Sequence, residues 1–450
     1  LQNKFIIKKL LQKFNPLNFN VLSIDSRTVK KKNLFLAIKG KKNDGSKFIK
    51  EALTKGASVI VTNSKVKKNN KIAKISDPIL FLNKFAKLKR DHSSAKIIAI
   101  TGSAGKTSLK NILKEILSIH GNTHSSPKSY NNHFGVPLSL SNLSFNDKYG
   151  IFEVGMSRSG EIKKLSRLVK PHVGVITNIG EAHLENFKNM KGIAKAKSEI
   201  IENIQTGGVI ILNRDDRFFN FLFKKAKSFK LNITTFGKHN KSDICLKKIE
   251  RKGNFSKIFL KINNQIFDFE IKDINIYNLL AAMAVLKQFG INADKIKSEI
   301  KKLEPTEGRG KKHSILRYKK KFNLIDESYN ANPLSVKNAI IKLNLIKKDG
   351  FKKYLILGDM LELGSKSKKY HEELSKVINN SDIDKVFIKG KKTIFTYKYL
   401  NKEKRGNILQ SNQDIDLSLS NMITNNDYLM IKGSNATGLN NFSKKMIKGI

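Results

Sequence analysis

The stretch Thr101-Gly102-Ser103-Ala104-Gly105-Lys106-Thr107-Ser108 follows directly on the apolar run Ile97–Ile100 and precedes Leu109–Ile119, where apolar residues recur at helical spacing. A strand entering such a turn and a helix leaving it place backbone N–H groups around an anion. Gly102 and Gly105 let the main chain close on a phosphate, Lys106 adds a cation, and Thr107 offers a hydroxyl suited to Mg²⁺. The longer form of this pattern begins with a glycine where this chain has Ile100, so the match is to the shorter G-x-x-G-K-T form. Gly102, Ser103, Ala104, Gly105, Lys106, Thr107 and Ser108 are therefore expected to hold the phosphates of ATP.

Further polar residues fall at the ends of neighbouring apolar runs. Glu153 closes the run Tyr149–Phe152, and a carboxylate there could bind Mg²⁺ beside the phosphate loop. His183 stands in the loop after Val173–Thr177; taken alone it fits a hydrogen-bonded bystander as well as a ligand. Lys197, within the helical stretch Ile193–Ile200, is by itself one lysine among many.

The elements that must position these residues form three α/β blocks. Val21–Ile24, Leu34–Ile38 and Ala57–Val61 are strand-like, with a helix around Phe48–Lys55. In the second block, strands at Ile97–Ile100, Tyr149–Val154 and Val173–Thr177 each lead into a polar loop and a helix, which predicts a mostly parallel sheet. Val209–Leu212 adds a strand, and Ile233–Phe269 reads as antiparallel hairpins around Gly253 and Asn263-Asn264. Pro305, Gly308 and Gly310 break the helical pattern and mark a boundary. Beyond it, Phe322–Ile325, Tyr354–Leu357, Lys385–Ile388 and Tyr428–Ile431 alternate with helices, as in a doubly wound, Rossmann-like sheet. The expected domains are 1–92, 93–308 and 309–450.

Composition agrees with a large globular chain. At 450 residues, length favours about three domains. With 39% hydrophobic and 28% charged residues the chain is neither disordered nor membrane-like, and no apolar run approaches the roughly 20 residues that cross a bilayer. Leu1–Phe14 reads as an amphipathic helix and not an export signal. The one cysteine, Cys245, excludes an internal disulfide and fits a reducing cytoplasm. The net charge of +50 raises nucleic-acid binding, but the cations are overwhelmingly lysines spread through every segment, so a solvated lysine surface with no nucleic-acid partner is expected.

The motifs in order resemble the Mur ligases, the ATP-dependent amide-forming enzymes of peptidoglycan precursor synthesis. The shared marks are Thr101–Thr107, Tyr130-Asn131-Asn132-His133-Phe134-Gly135-Val136-Pro137, Glu153-Val154-Gly155-Met156 with Gly160-Glu161-Ile162, Thr177-Asn178-Ile179, Ala182-His183-Leu184-Glu185, Ala196-Lys197-Ser198-Glu199-Ile200 and Asn213-Arg214-Asp215-Asp216. In the third block, Asp326-Glu327-Ser328-Tyr329-Asn330-Ala331-Asn332-Pro333, Leu357-Gly358-Asp359-Met360-Leu361-Glu362-Leu363-Gly364 and Lys432-Gly433-Ser434 resemble the branch that adds D-alanyl-D-alanine to UDP-N-acetylmuramoyl-tripeptide. The branch adding the third amino acid carries an acidic-aromatic-Ala-His sequence where this chain has Tyr329–Asn332, and the Asp-Asn-Pro-Arg motif of that branch is missing here.

The resemblance implies specific roles. Lys106 and the loop amides would hold the β- and γ-phosphates, Thr107 and Glu153 one Mg²⁺, and His183 with a carbamylated Lys197 a second. An ammonium at Lys197 would repel both metal and triphosphate unless neutralised. Asn278 would face the adenine, while Arg309 and Asp326 would close over the γ-phosphate and ribose. Ser26, Arg27, Asp44 and Gly45 would contact the uridine diphosphate; Asn131, Asn132, Tyr329, Asn330 and Asn332 are further substrate-binding candidates. The chain departs from the family at Ser46, where His is usual, at Arg158-Ser159, and at Asn435, where Arg is common. The expected reaction activates the peptide carboxylate as an acyl phosphate and captures it with the dipeptide amine. A cytoplasmic monomer is expected. A related ligase with another amino-acid substrate, and a lysine-rich nucleic-acid motor, remain alternatives at this point.

Overall fold

The computed structural model describes residues 2–13, 18–19, 21–40, 44–67, 69–252 and 255–449. The turn expected around Gly253 and the residue Asn43 before Asp44 lie outside them. The N-terminal block is a four-stranded parallel sheet, β1 (Leu22–Ser23), β2 (Leu34–Ala37), β3 (Val59–Thr62) and β4 (Ile72–Lys74), in that order. Helix Pro78–Asp91 packs Phe81, Leu82 and Phe85 into its core.

The central sheet has nine strands: β5 (Lys96–Thr101), β6 (Thr123–Ser125), β7 (Tyr149–Glu153), β8 (Val173–Ile176), β9 (Val209–Asn213), β10 (Asn232–Gly237), β11 (Ile244–Lys252), β12 (Phe255–Ile262) and β13 (Gln265–Ile271). Their order is β13-β12-β11-β10-β9-β8-β5-β7-β6, parallel from β6 to β11 and antiparallel through β11, β12 and β13. Helices cover both faces, so β5 must be apolar on both: Ile97 and Ala99 enter one core, Ile98 and Ile100 the other. Because β5 lies between β7 and β8, the loops that follow these three strands open side by side at the carboxyl edge of the sheet. The phosphate loop, Glu153 and the His183 loop all belong to that edge.

The C-terminal sheet contains β14 (Lys311–Arg317), β15 (Lys320–Glu327), β16 (Lys353–Gly358), β17 (Lys385–Lys389), β18 (Arg405–Ile408) and β19 (Tyr428–Lys432), ordered β14-β15-β19-β16-β17-β18. Only the β14–β15 hairpin is antiparallel. The α/β class and the three-block organisation match the expectation, with extra strands at β4, β6, β14 and β18. All four close a sheet edge; β4, β6 and β18 are only three or four residues long, and the polar exposed face of β14 hides its strand period.

The domains are joined by specific contacts. Arg90 donates from Nε to Val169 O and from Nη2 to Lys170 O, both at 2.8 Å, and the Asn142 amide brackets the backbone of Leu22. On the other side, Ala331, Val336 and Leu363 share one apolar cluster with Ile179, Leu184 and Ile193 of the central block.

Candidate active site

The phosphate loop is shaped by its neighbour after β8. Thr177 Oγ1 donates to Ala104 O (2.6 Å), Ala104 N donates to Asn178 Oδ1 (2.9 Å), and Gly180 N donates to Ser103 Oγ (2.8 Å). Gly102, at φ 147°, would place a Cβ 1.9 Å from Thr177 Oγ1, so no larger residue fits there. Helix Lys106–His120 then starts with its amides facing the opening. Lys106 Nζ folds back to donate to Gly102 O at 2.7 Å. Burial lowers the pKa of this ammonium, against the opposing pull of Glu153.

Behind the loop lies a polar chain. Thr107 Oγ1 donates to Glu153 Oε2 at 3.0 Å and sits 3.0 Å from Ser129 Oγ, which accepts from Arg309 Nη2 at 3.0 Å. The Arg309 guanidinium also lies over the Tyr329 ring, 4.1 Å from its centroid. Lys110, one turn beyond Lys106, is buried with its Nζ 3.1 Å from Glu153 Oε1 and donates to Ser126 O and Lys128 O. Sequence reasoning missed both Ser129 and Lys110. Lys110 had a signal, because a residue four after Lys106 shares its helix face; Ser129 had none.

A second cluster spans two domains. His183 Nδ1 lies 2.7 Å from Glu362 Oε2, which comes from the loop after β16. The contact lacks the alignment of a hydrogen bond, and it holds the Glu362 carboxyl below its usual range. The Lys197 side chain is buried and has no hydrogen-bond or ion-pair partner among the described residues. Desolvation, with the charge of Lys106 nearby, drives its pKa well below the ordinary lysine value.

These groups line one cavity of about 1970 Å³ between the central and C-terminal domains. Ser103 to Ser108, Asn131, Asn132, Glu153, His183, Lys197, Asn278, Arg309, Tyr329, Asn330 and Asn332 all reach it. Thr107 and Glu153 form an oxygen donor set that suits Mg²⁺. His183 and Lys197 fit a second cation on one condition, that the lysine gains negative charge. Among the described residues no group of three or more His, Cys, Asp or Glu is placed to hold a metal, so both candidate sites are mixed ones.

Comparison with known proteins decides the family. The Mur ligase family's catalytic domain pattern matches residues 18–96, its middle domain 100–286 and its glutamate ligase domain 314–435. The UDP-N-acetylmuramoyl-tripeptide--D-alanyl-D-alanine ligase of Rickettsia prowazekii is 32% identical, covering 94% of each chain. The ligase of the same name from Bacillus subtilis is 30% identical, covering 95% of this chain and 93% of the relative. The chain belongs to the Mur ligase family. Among solved structures, MurF from Acinetobacter baumannii superposes with a TM-score of 0.82 at 27% identity, covering 95% of this chain and 93% of the other. MurF ligase from Thermotoga maritima in complex with ADP gives 0.81 at 26% identity, covering 97% and 98%.

Not every residue expected in this Mur ligase reaches the cavity. Gly102 shapes it from behind. Asp326, expected against the ribose, instead uses Oδ2 to accept from Gly308 N (2.8 Å) and Oδ1 to accept from Ser328 N (3.2 Å) and Ser328 Oγ (2.5 Å). A strand-end carboxylate is taken up by the amide of the facing linker glycine and by the serine that follows its own strand. Ser26, Arg27, Asp44 and Gly45 lie in the N-terminal domain, outside the cavity lining. Ser26 Oγ donates to Glu51 Oε2 (2.7 Å), and Asp44 accepts from Ser46 N (2.9 Å). Arg27, its side chain 81% exposed, pairs with Asp25 and holds that carboxyl down at about 2.

Proposed function

We propose that this chain joins D-alanyl-D-alanine to UDP-N-acetylmuramoyl-tripeptide at the expense of ATP, a cytoplasmic step of peptidoglycan synthesis, and that it acts as a monomer. The observation that carries this reading is the single cavity in which a phosphate loop, a Thr107–Glu153 oxygen pair and the asparagine-rich segment Tyr329–Asn332 of another domain face one another. The likeness to proteins named for this reaction, and to one solved with ADP, supports it. No helix among the described residues is long and apolar enough to cross a membrane.

In this scheme Lys106 and the amides of Gly102–Ser108 orient the triphosphate, and Asn278 and Arg309 hold the base and the γ-phosphate. Thr107 and Glu153 would hold one Mg²⁺; His183 and Lys197, once carbamylated, would hold another. Bound there, the metals would supply charge neutralisation for the phosphates and the developing oxyanion. The tripeptide carboxylate displaces ADP from the γ-phosphorus, forming an acyl phosphate. The dipeptide amine then attacks the acyl carbon, a C–N bond forms, and phosphate leaves with the acyl C–O bond broken. Ser26, Arg27, Asp44 and Gly45 would grip the uridine diphosphate, with Asn131 and Asn132 along the peptide and Tyr329, Asn330 and Asn332 around the incoming dipeptide. Alignment of the two reactants is the main contribution of the protein.

The test is ADP and phosphate release by the purified chain with UDP-N-acetylmuramoyl-tripeptide and D-alanyl-D-alanine. Turnover that needs both substrates is expected. Absence of turnover with both, or equal turnover with diaminopimelate or D-glutamate as the amine, would overturn the assignment.

A further inference from the structure

His183 and Glu362 meet across the boundary between the central and C-terminal domains, and both hold non-glycine backbones in the left-handed region, at φ 57° and 63°. Such conformations persist only where surroundings over-determine them, and they concentrate at working sites. The surroundings here are specific. Glu362 O accepts from Glu185 N at 3.1 Å, so the same residue grips the His183 loop through its main chain as well as its side chain. On its own side the segment is anchored by Met360 N donating to His371 Nε2 and Leu361 N donating to Ser434 Oγ, both at 3.1 Å. Glu362 therefore moves with the C-terminal domain, whereas His183 moves with the central sheet.

We propose that Glu362 is a positioning residue that makes the His183 metal site conditional on domain closure. An imidazole has two inequivalent nitrogens, and a carboxylate on one fixes the proton there and leaves the other as the ligand. Glu362 Oε2 stands 2.7 Å from Nδ1 without yet being aligned on its N–H, so a small rotation of the ring completes that hydrogen bond and leaves Nε2 available to a divalent cation. When the C-terminal domain swings away, the carboxylate leaves with it and the ring loses both its orientation and its preferred tautomer. Closure over the substrates and completion of the second metal site are then one event. This rests on the proposed role of His183 as a ligand.

The experiment measures Mn²⁺ binding by electron paramagnetic resonance in the presence of ADP, for the parent and for Glu362→Ala, Glu362→Gln and His183→Ala. Ring ¹⁵N shifts of His183 are followed alongside in the metal-free proteins. The parent is expected to bind two ions and to carry its ring proton on Nδ1. In Glu362→Ala the dissociation constant of the site that His183→Ala removes should rise about 10–100-fold, the other site should stay unchanged, and the ring proton should shift towards Nε2. Glu362→Gln, which keeps an oxygen acceptor, should recover most of that loss. If Glu362→Ala binds both ions like the parent while His183→Ala loses one, the role of Glu362 is overturned and the ligand reading stands. If His183→Ala keeps both ions, both are overturned.

Discussion

Lys110 Nζ stands 3.1 Å from Glu153 Oε1, with the two side chains 3% and 0% exposed. The other Glu153 oxygen accepts from Thr107, so this carboxylate is held between the phosphate loop and a buried ammonium. Removing one partner of a buried pair leaves an uncompensated charge, which typically costs about 3–5 kcal/mol. Lys110→Met is therefore expected to lower the unfolding free energy by that order in urea titrations. Lys110→Met combined with Glu153→Gln should recover most of it. A single-variant loss of about 0–1 kcal/mol, the value of an exposed pair, would show that Lys110 does not hold Glu153.

Lys197 yields a pH prediction of definite sign. Its folded pKa lies well below 10.5 because burial and Lys106 both disfavour the ammonium. Between the folded and unfolded values the unfolded chain binds the extra proton, so stability from this residue rises with pH across that window and levels off above it. In CO₂-free buffer Lys197→Met should be more stable than the parent near neutral pH, and that advantage should shrink towards pH 10. An advantage independent of pH would mean that burial does not lower the pKa of this lysine. Addition of ¹³C-bicarbonate should give a carbamate carbon signal in the parent that Lys197→Met lacks.

The legibility of this molecule follows from how local each signal is. Ile97–Ile100 is apolar on both faces, so β5 and the loop it feeds could be read directly, as could the burial of Val173–Ile176. β6 is three residues of intermediate burial in parallel register with β7, and nothing in Thr123-His124-Ser125 announces a strand. The same distinction governs the site. Thr107 and Glu153 were legible because each ends a strand or opens a helix at the same sheet edge. Glu362 was quoted within a motif, yet its chemistry depends on a partner in another domain, which no spacing in the chain encodes. Asp326 was quoted within a motif, but the Gly308 amide and the Ser328 donors that take up its oxygens were not legible.

Asp326 is accordingly expected to act on the hinge. Its carboxylate accepts from Gly308 N and from Ser328, joining the linker to β15. Asp326→Ala strands those buried donors, a loss of about 1–3 kcal/mol each in unmet hydrogen bonding. The expected result is lower stability and a wider distribution of domain separations in small-angle scattering, with Asp326→Asn intermediate. Unchanged scattering in the alanine variant, with ADP affinity reduced, would instead return Asp326 to the nucleotide.

Gly105 separates conformational strain from crowding. It opens the helix at φ 86°, and a Cβ there would lie 2.5 Å from Asn278 Oδ1. Gly105→Ala thus faces a left-handed penalty of roughly 1–2 kcal/mol and a clash with the residue proposed to face adenine. Asn278→Ala in the same chain removes the clash but not the backbone penalty. The double variant should therefore regain part of the melting temperature lost by Gly105→Ala, while ADP affinity, measured by calorimetry, stays below the parent in both. Parental ADP affinity in Gly105→Ala would show that the loop does not close on phosphate through this turn.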